Sequence, residues 1–393
     1  MRGPYVAGAC LLVFAMSCAG SSGVPRSASG SRSPTPAPVS PGGLGSAAPD
    51  AAPSSRQVIS SVGPVQIVSP RFALAGFTRC RVQPWSCSAH LLSTTDLGRH
   101  WRDITPPAFS SGIAITDVNF VDARHGWAIG YSCNQPSRNA ILRTADGGIT
   151  WSKVGAPPMS CADGTGHSLD LLTATSGWMA SWTRDGASTL SPVAGGGPWT
   201  RGSPLPWGGG NISFVNANLG FLVGSPESPT LYRTGDGGAI WRPITPPRSR
   251  GRWRVMSLPT FFGLHRGIEP IDLIHGGHEE VAFDTTTNGG NTWSLGAVLR
   301  PRGSDPRGLS ARVSVSTPTT WWASIGKPAA VYVTRDAGHT WHRSRRHFPR
   351  LANVYALGGR RAWLVSGHRN ASSLYLTTNA GHSWRRLHRP RRS

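Results

Sequence analysis

The stretch Thr144-Ala145-Asp146-Gly147-Gly148-Ile149-Thr150-Trp151 decides how this chain is read, because its pattern returns elsewhere with the same internal spacing. Each copy sets a Thr seven residues, an Asp or Asn five residues and a Gly three residues before a Trp. The other copies are Thr94, Asp96, Gly98 and Trp101; Thr234, Asp236, Gly238 and Trp241; Thr286, Asn288, Gly290 and Trp293; Thr334, Asp336, Gly338 and Trp341; and Thr377, Asn379, Gly381 and Trp384. Self-similarity at a fixed period is the mark of a repeat architecture.

Within the octet the chemistry is that of a tight turn between two strands. Asp or Asn folds its side-chain oxygen back onto nearby backbone N–H groups, and Gly supplies the positive φ that such a turn demands. The Trp opens the next strand and can wedge between neighbouring sheets, where truncating such a residue costs about 3–5 kcal/mol. Asp96, Asp146, Asp236, Asn288, Asp336 and Asn379 are therefore expected to be structural, not catalytic or calcium-binding.

This pattern resembles the Asp-box, or BNR repeat, of β-propellers such as sialidases, sortilin-type receptors and the photosystem II assembly factor family. The phrase Gly126-Trp127-Ala128-Ile129-Gly130 ahead of the octet is most similar to the last of these. The resemblance implies an all-β fold and leaves function open, since propellers host unrelated activities. From box Trp to box Trp, the interval 151 to 241 spans 90 residues, about twice the others. A degenerate copy fills it: Ser181-Trp182-Thr183-Arg184-Asp185-Gly186 followed by Gly195-Gly196-Gly197-Pro198-Trp199, whose Trp199 divides the interval into 48 and 42 residues. The expectation is a seven-bladed β-propeller with Asp-box turns, four strands and roughly fifty residues per blade, over 57–393.

Ahead of the repeats, Arg2 and the apolar run Tyr5 to Met16 read as a signal peptide, residues 1–17. Ala15-Met16-Ser17-Cys18 resembles a bacterial lipobox, which makes Cys18 the expected lipid anchor. From 18 to 56 the chain is Ser, Pro, Gly and Ala with almost no large apolar residue, a composition that cannot bury enough surface to offset its ordering entropy. A disordered linker is expected there, and the protein is expected to be exported, held at the outer face of the cell membrane or secreted.

The flanks of the octets repeat too. Val118-Asn119-Phe120-Val121 before Gly126 to Gly130, and Ile212-Ser213-Phe214-Val215 before Gly220-Phe221-Leu222-Val223-Gly224, read as strands A and B of a blade. Ala140 to Thr144 is then strand C, and the boxes become C-to-D turns on one face of the disc. Long connections carry binding sites more often than tight repeated turns do, so function is expected on the opposite face or in the channel lined by the A strands. In an exported protein the even set Cys80, Cys87, Cys133 and Cys161 suggests two bridges. The propeller register puts Cys80 and Cys87 in the first B-to-C loop, Cys133 in the second and Cys161 in the next D-to-A loop, selecting Cys80–Cys87 and Cys133–Cys161. No Cys-x-x-Cys is present, and no metal or other cofactor is expected.

Forty Lys and Arg stand against eighteen Asp and Glu, giving a net charge of +22, and only Lys153 and Lys327 are lysines. Arginine clusters at Arg248, Arg250, Arg252 and Arg254, at Arg343, Arg345, Arg346, His347 and Arg350, and at Arg385, Arg386, Arg389, Arg391 and Arg392. The guanidinium fork suits carboxylate and phosphate. The expected partner is an anionic protein, wall polymer or lipid surface, with Arg248, Arg250, Arg252 and Arg254 as the partner-binding residues and the protein itself a monomer. No RRM, zinc-finger or helix-turn-helix pattern points to nucleic acid.

Catalysis is the alternative. Family sialidases use an arginine triad, a Tyr–Glu nucleophile and an Asp acid, with an Arg-Ile-Pro-like phrase near the first blade. Pro70-Arg71-Phe72 does not match that phrase, and none of the four glutamates, Glu227, Glu269, Glu279 and Glu280, lies beside a Tyr. No catalytic residue is assigned, and a sialidase-like glycoside hydrolase stands second to a non-catalytic binding or assembly platform. One further cluster, Glu269, Asp272, His275, His278, Glu279 and Glu280, flanks Gly276-Gly277 in the fifth blade and reads as a solvated hairpin ahead of a metal or acid–base site.

Overall fold

The computed structural model describes residues 58–81, 86–109, 113–131, 136–155, 166–182, 188–194, 203–205, 210–224, 230–245, 247, 252–255, 257–275, 278–301, 311–326, 328–349, 352–368 and 371–388. The expected signal peptide, Cys18, the linker, Cys133, Cys161, Arg248 and Arg250 lie outside them.

The strands come in consecutive groups. A first meander holds β1 (Val58–Ser69), β2 (Phe72–Arg81), β3 (Ser86–Thr94) and β4 (Arg102–Asp103), and a second β5 (Ala114–Phe120), β6 (Gly126–Tyr131), β7 (Ala140–Thr144) and β8 (Ser152–Gly155). The third has β9 (Gly166–Leu171), β10 (Ser176–Trp182), β11 (Ser188–Ala194) and β12 (Ser203–Pro204); the fourth β13 (Ile212–Phe214), β14 (Gly220–Val223), β15 (Leu231–Thr234) and β16 (Arg242–Ile244). In the fifth, β17 (Arg252–Val255) and β18 (Thr260–Phe262) both pair β19 (Arg266–His275), followed by β20 (His278–Thr286) and β21 (Ser294–Leu299). The sixth is β22 (Arg312–Val315), β23 (Trp321–Ile325), β24 (Ala329–Thr334) and β25 (His342–Phe348), and the last is β26 (Asn353–Ala356), β27 (Ala362–His368), β28 (Ala371–Thr377) and β29 (Arg385–Leu387). Within each meander neighbouring strands are antiparallel, and a parallel bridge, Ser60 to Ala371, joins the first sheet to the last.

A four-stranded meander of short apolar strands cannot cover both its faces, so the core lies between meanders. Phe72, Leu74 and Leu91 pack with Val118, Phe120 and Leu142 across the first pair. Trp127 and Ile141 meet Leu171 and Met179 in the next, Leu190 meets Phe214, and Phe221 and Leu231 meet Val255 and Trp293. Phe283 meets Trp321, and Trp322 and Val331 meet Val354 and Leu364. Val62, Val65, Ala73 and Ala75 pack with Trp363, Val365 and Leu376, so the first and last meanders share a core as well.

Polar side chains on the first strands staple the same seams. Gln66 receives the Phe120 N–H at 2.8 Å and donates to its carbonyl at 3.0 Å. Asp117 accepts the Leu169 N–H at 2.8 Å, Asp170 accepts that of Phe214, and Ser314 accepts that of Ala356 at 2.9 Å. Between the chain's ends, Ser372 accepts the Val62 N–H at 2.7 Å. Each such bond satisfies a backbone group that no ladder reaches.

Every octet forms the expected C-to-D turn. Thr144 Oγ1 accepts the Gly148 N–H at 2.8 Å and donates to Asp146 at 2.7 Å, and Asp146 accepts the Thr150 N–H at 2.9 Å. The Thr-to-Gly bond recurs at 2.9 to 3.0 Å in the other five copies. The turns dock on the first-to-second strand turns of their own meanders, Gly147 on the Arg124 carbonyl, Gly237 on Asn218, Gly289 on His265, Ala337 on Thr319 and Ala380 on Arg360. These five therefore share one face.

Three expectations change in detail. Trp182, expected in the degenerate box, instead ends β10, whose register on β11 is continuous from Ser176 to Trp182, and the rest of that copy, 183–186 and 195–199, lies outside the described residues. Cys80 and Cys87 sit within β2 and β3, directly opposite in register, not in a loop, and Cys80 is disulfide-bonded. Arg252 and Arg254 belong to strand β17, because alternating Trp253 and Val255 pair with β19 and Val255 is buried, so they do not lie in a connection.

Candidate functional site

The acids are largely committed. The His100 backbone N–H, donating at 2.9 Å, holds the Asp96 carboxyl down at about 2, and hydrogen bonds from Thr150 and Thr340 hold Asp146 and Asp336 well below the usual carboxylate range. A depressed carboxyl contributes stability above its unfolded value and loses it only as pH falls through the folded one, so the boxes stay ionised near neutrality. Elsewhere Asp103 pairs with His90 and Asp122 with His125, each at 2.9 Å, and Glu280 pairs with Arg300 at 2.9 Å.

The fifth-meander hairpin departs from its solvated reading. Glu269, Asp272 and Asp284 are fully buried and Glu280 nearly so, because β19 and β20 are sandwiched between the fourth and sixth meanders. Glu269 stands opposite Asp284 in register, and burial, with the Asp284 charge second, pushes its carboxyl up to about 8. Among the described residues no group of three His, Cys, Asp or Glu has the arrangement to hold a metal.

On the first strands, Thr116 Oγ1 lies 2.8 Å from His167 Nε2, with Asp117 adjacent in sequence. Burial pushes Asp117 up to about 7, against hydrogen bonds from the Leu169 and Val118 N–H groups, and lowers His167 to about 4. Thr116 also bonds the Ile129 carbonyl at 3.3 Å, which makes His167 Nε2 the donor to Thr116. These groups are tied to one another and to backbone, so they hold the second and third meanders together.

Basic side chains, by contrast, gather where the one nearby acid among the described residues, Asp336, is engaged within its own box. Arg335 in the sixth box, His342 and Arg345 on β25, and His382 in the seventh box converge where these two meanders meet, with the imidazoles of His342 and His382 tilted by 36° at a centroid separation of 4.0 Å. Burial, then the nearby His382, Arg335 and Arg345, lowers His342. None of the four forms an ion pair among the described residues. The box here carries neutral Asn379, which removes the acid found at the same position of four other copies. Exposed Arg360 and Arg361, in the turn that docks on this box, and Arg99 and His100, in the box of the adjoining first meander, extend the basic area. Arg346 is set aside by its contacts: it donates to the Trp384 carbonyl at 3.1 Å and lies over the rings of Tyr375 and Phe348.

This basic area lies on the box side, the face that reasoning from loop length set aside. The signal for it was available, since His342 follows one box Trp and His382 precedes the next by two positions, so superposing consecutive repeats brings them together.

No family model matches the chain, and no curated protein does. Solved structures do. An uncharacterized protein of Listeria monocytogenes EGD-e aligns at TM-score 0.52 and 11% identity, covering 86% of this chain and 97% of its own. The BP39L lectin of Burkholderia pseudomallei aligns at 0.50 and 14%, covering 84% and 97%. YCF48 from Cyanidioschyzon merolae aligns at 0.47 and 18%, covering 73% and 87%. What the chain shares with such structures is a fold, that of a β-propeller.

Proposed function

We propose that this protein is a closed seven-bladed propeller that binds an anionic partner through its basic box-side surface and has no catalytic role. The observation that carries the reading is the exposed pair Arg335 and Arg345, which form no ion pair among the described residues, beside the imidazoles of His342 and His382 and acids that are already engaged. Like charges gathered on an exposed surface repel weakly through solvent, and an anion meeting them relieves that repulsion. Closure into seven blades is supported by the shared core, the bridge and the Val62–Ser372 bond between the first and last meanders. Cys80–Cys87 is the bridge proposed within the first blade, and Cys133–Cys161 the second.

The test is binding of an oligoglutamate peptide at several salt concentrations. Replacing Arg335, His342, Arg345 and His382 with Gln is expected to weaken binding at least about tenfold and to flatten its salt dependence. The matching replacement of Arg248, Arg250, Arg252 and Arg254 tests the other proposed surface. Equal affinity and salt slope in both variants would sink the anionic reading, and turnover of chromogenic glycosides would put the glycoside hydrolase in its place.

The protein is further proposed to be exported and anchored through acylated Cys18, which the lipobox-like Ala15-Met16-Ser17 supports. Cys18→Ser is expected to move it from the membrane fraction to the medium. Unchanged membrane association would reject the anchor.

A further inference from the structure

The pair Glu269 and Asp284 calls for an account of its own. Both are fully buried, and they occupy opposite positions on β19 and β20, a placement that brings cross-strand Cβ atoms to about 4.5–5.5 Å. Asp284 Oδ1 accepts the Gly296 N–H at 3.2 Å. Neither oxygen of Glu269 receives a hydrogen bond from any N–H or O–H. A buried carboxylate without a donor or cation is among the costliest groups a core can hold, and it escapes by carrying a proton.

Among the described residues no hydrogen-bond donor reaches Glu269. Glu269 shares its side of β19 with Ile271, whose partner Val255 packs against Phe221 and Leu231 of the fourth meander. On the same side of β20, Glu280 lies four residues along and is paired with Arg300. From the fourth meander comes Arg233, whose Nε donates to the Gly289 carbonyl at 2.8 Å. β17 places Arg252 and Arg254 opposite Ile274 and Asp272, positions of the other parity on β19, while β18 and β21 bring no charged residue.

We propose that Glu269 carries a proton at neutral pH and donates it to the carboxylate of Asp284, so that the β19–β20 hairpin is latched by one shared proton and loosens against the fourth meander when base removes it. Once the proton has gone to hydroxide, two carboxylates face each other in an apolar seam, and separation of the strands or entry of water relieves them. Since burial raises Glu269 to about 8, its contribution to stability is fully present below the unfolded value and is lost as pH rises through the folded one. Asp117, pushed up to about 7 by burial, titrates beside that window, so the signal that belongs to Glu269 is the part that a substitution there removes.

Infrared spectroscopy and hydrogen exchange test this on the folded protein. The wild type is expected to show the carbonyl stretch of a buried protonated carboxylic acid at about pH 7 and to lose it by about pH 9, with exchange across 266–286 rising at least about tenfold beyond the intrinsic increase. Glu269→Gln is expected to lose that part of the band and the exchange transition across 266–286, leaving only the band of Asp117. Should that variant fold poorly, Asp284→Asn serves, because removing the facing charge and supplying an amide N–H moves the transition to lower pH. A wild-type protein without the band, a band that Glu269→Gln leaves undiminished, or a transition that Asp284→Asn leaves in place would overturn the proposal.

Discussion

Trp322→Ala is expected to cost about 3–5 kcal/mol of stability, the upper range for truncating an aromatic in a close-packed core. The side chain is fully buried, its indole N–H donates to the Gly358 carbonyl at 3.0 Å, and its ring meets Trp384 edge-on at 6.2 Å. The substitution thus opens a cavity between the sixth and last meanders and strips a carbonyl of its donor. Trp322→Phe keeps most of the volume and loses the hydrogen bond, so about 1 kcal/mol is expected. Chemical denaturation of the two variants checks this. A loss below about 1 kcal/mol for the alanine would mean that the seams between meanders are not where stability resides.

Gly238→Ala should follow at about 2–5 kcal/mol, from two separate penalties. At φ +94° the backbone is in a region that costs a side chain about 1–2 kcal/mol. An added Cβ would also stand 2.2 Å from Leu190 Cδ2 of the third meander, and such overpacking adds about 1–3 kcal/mol. The preceding turn position tells the two apart. In the sixth and seventh boxes it is occupied by Ala337 and Ala380, at φ 57° and 59°. Gly237→Ala should therefore cost only about 1 kcal/mol, and equal melting points for the two variants would rule out packing of box against neighbour as the reason for glycine at 238.

The repeat was legible because its constraints are local. A Thr, an Asp or Asn and a Gly at fixed offsets close one turn with their own atoms, and the Trp spacing carries the strand pattern around them. What escaped depends on partners that local pattern does not name. Glu269 and Asp272 look solvated beside a Gly-Gly turn, yet neighbouring meanders cover both faces of that hairpin. His342 and His382 lie 40 residues apart in sequence and touch only because consecutive repeats stack. Arg252 seemed part of a charged connection because its own charge hid the strand that Trp253 and Val255 form with β19.

The bond from Val62 to Ser372 joins residues 310 apart, whereas the equivalent staple from Gln66 to Phe120 spans 54. Closing the longer loop costs about 1.5 kcal/mol more in chain entropy. It also cannot happen until the segment that carries Ser372 has left the ribosome. Throughout that time the first meander keeps Val62, Val65, Ala73 and Ala75 bare, the flank that Trp363 and Leu376 will eventually cover. The growing chain is therefore adhesive at its oldest edge for most of its synthesis, and a second nascent copy offers that edge the same apolar surface sooner than its own end can.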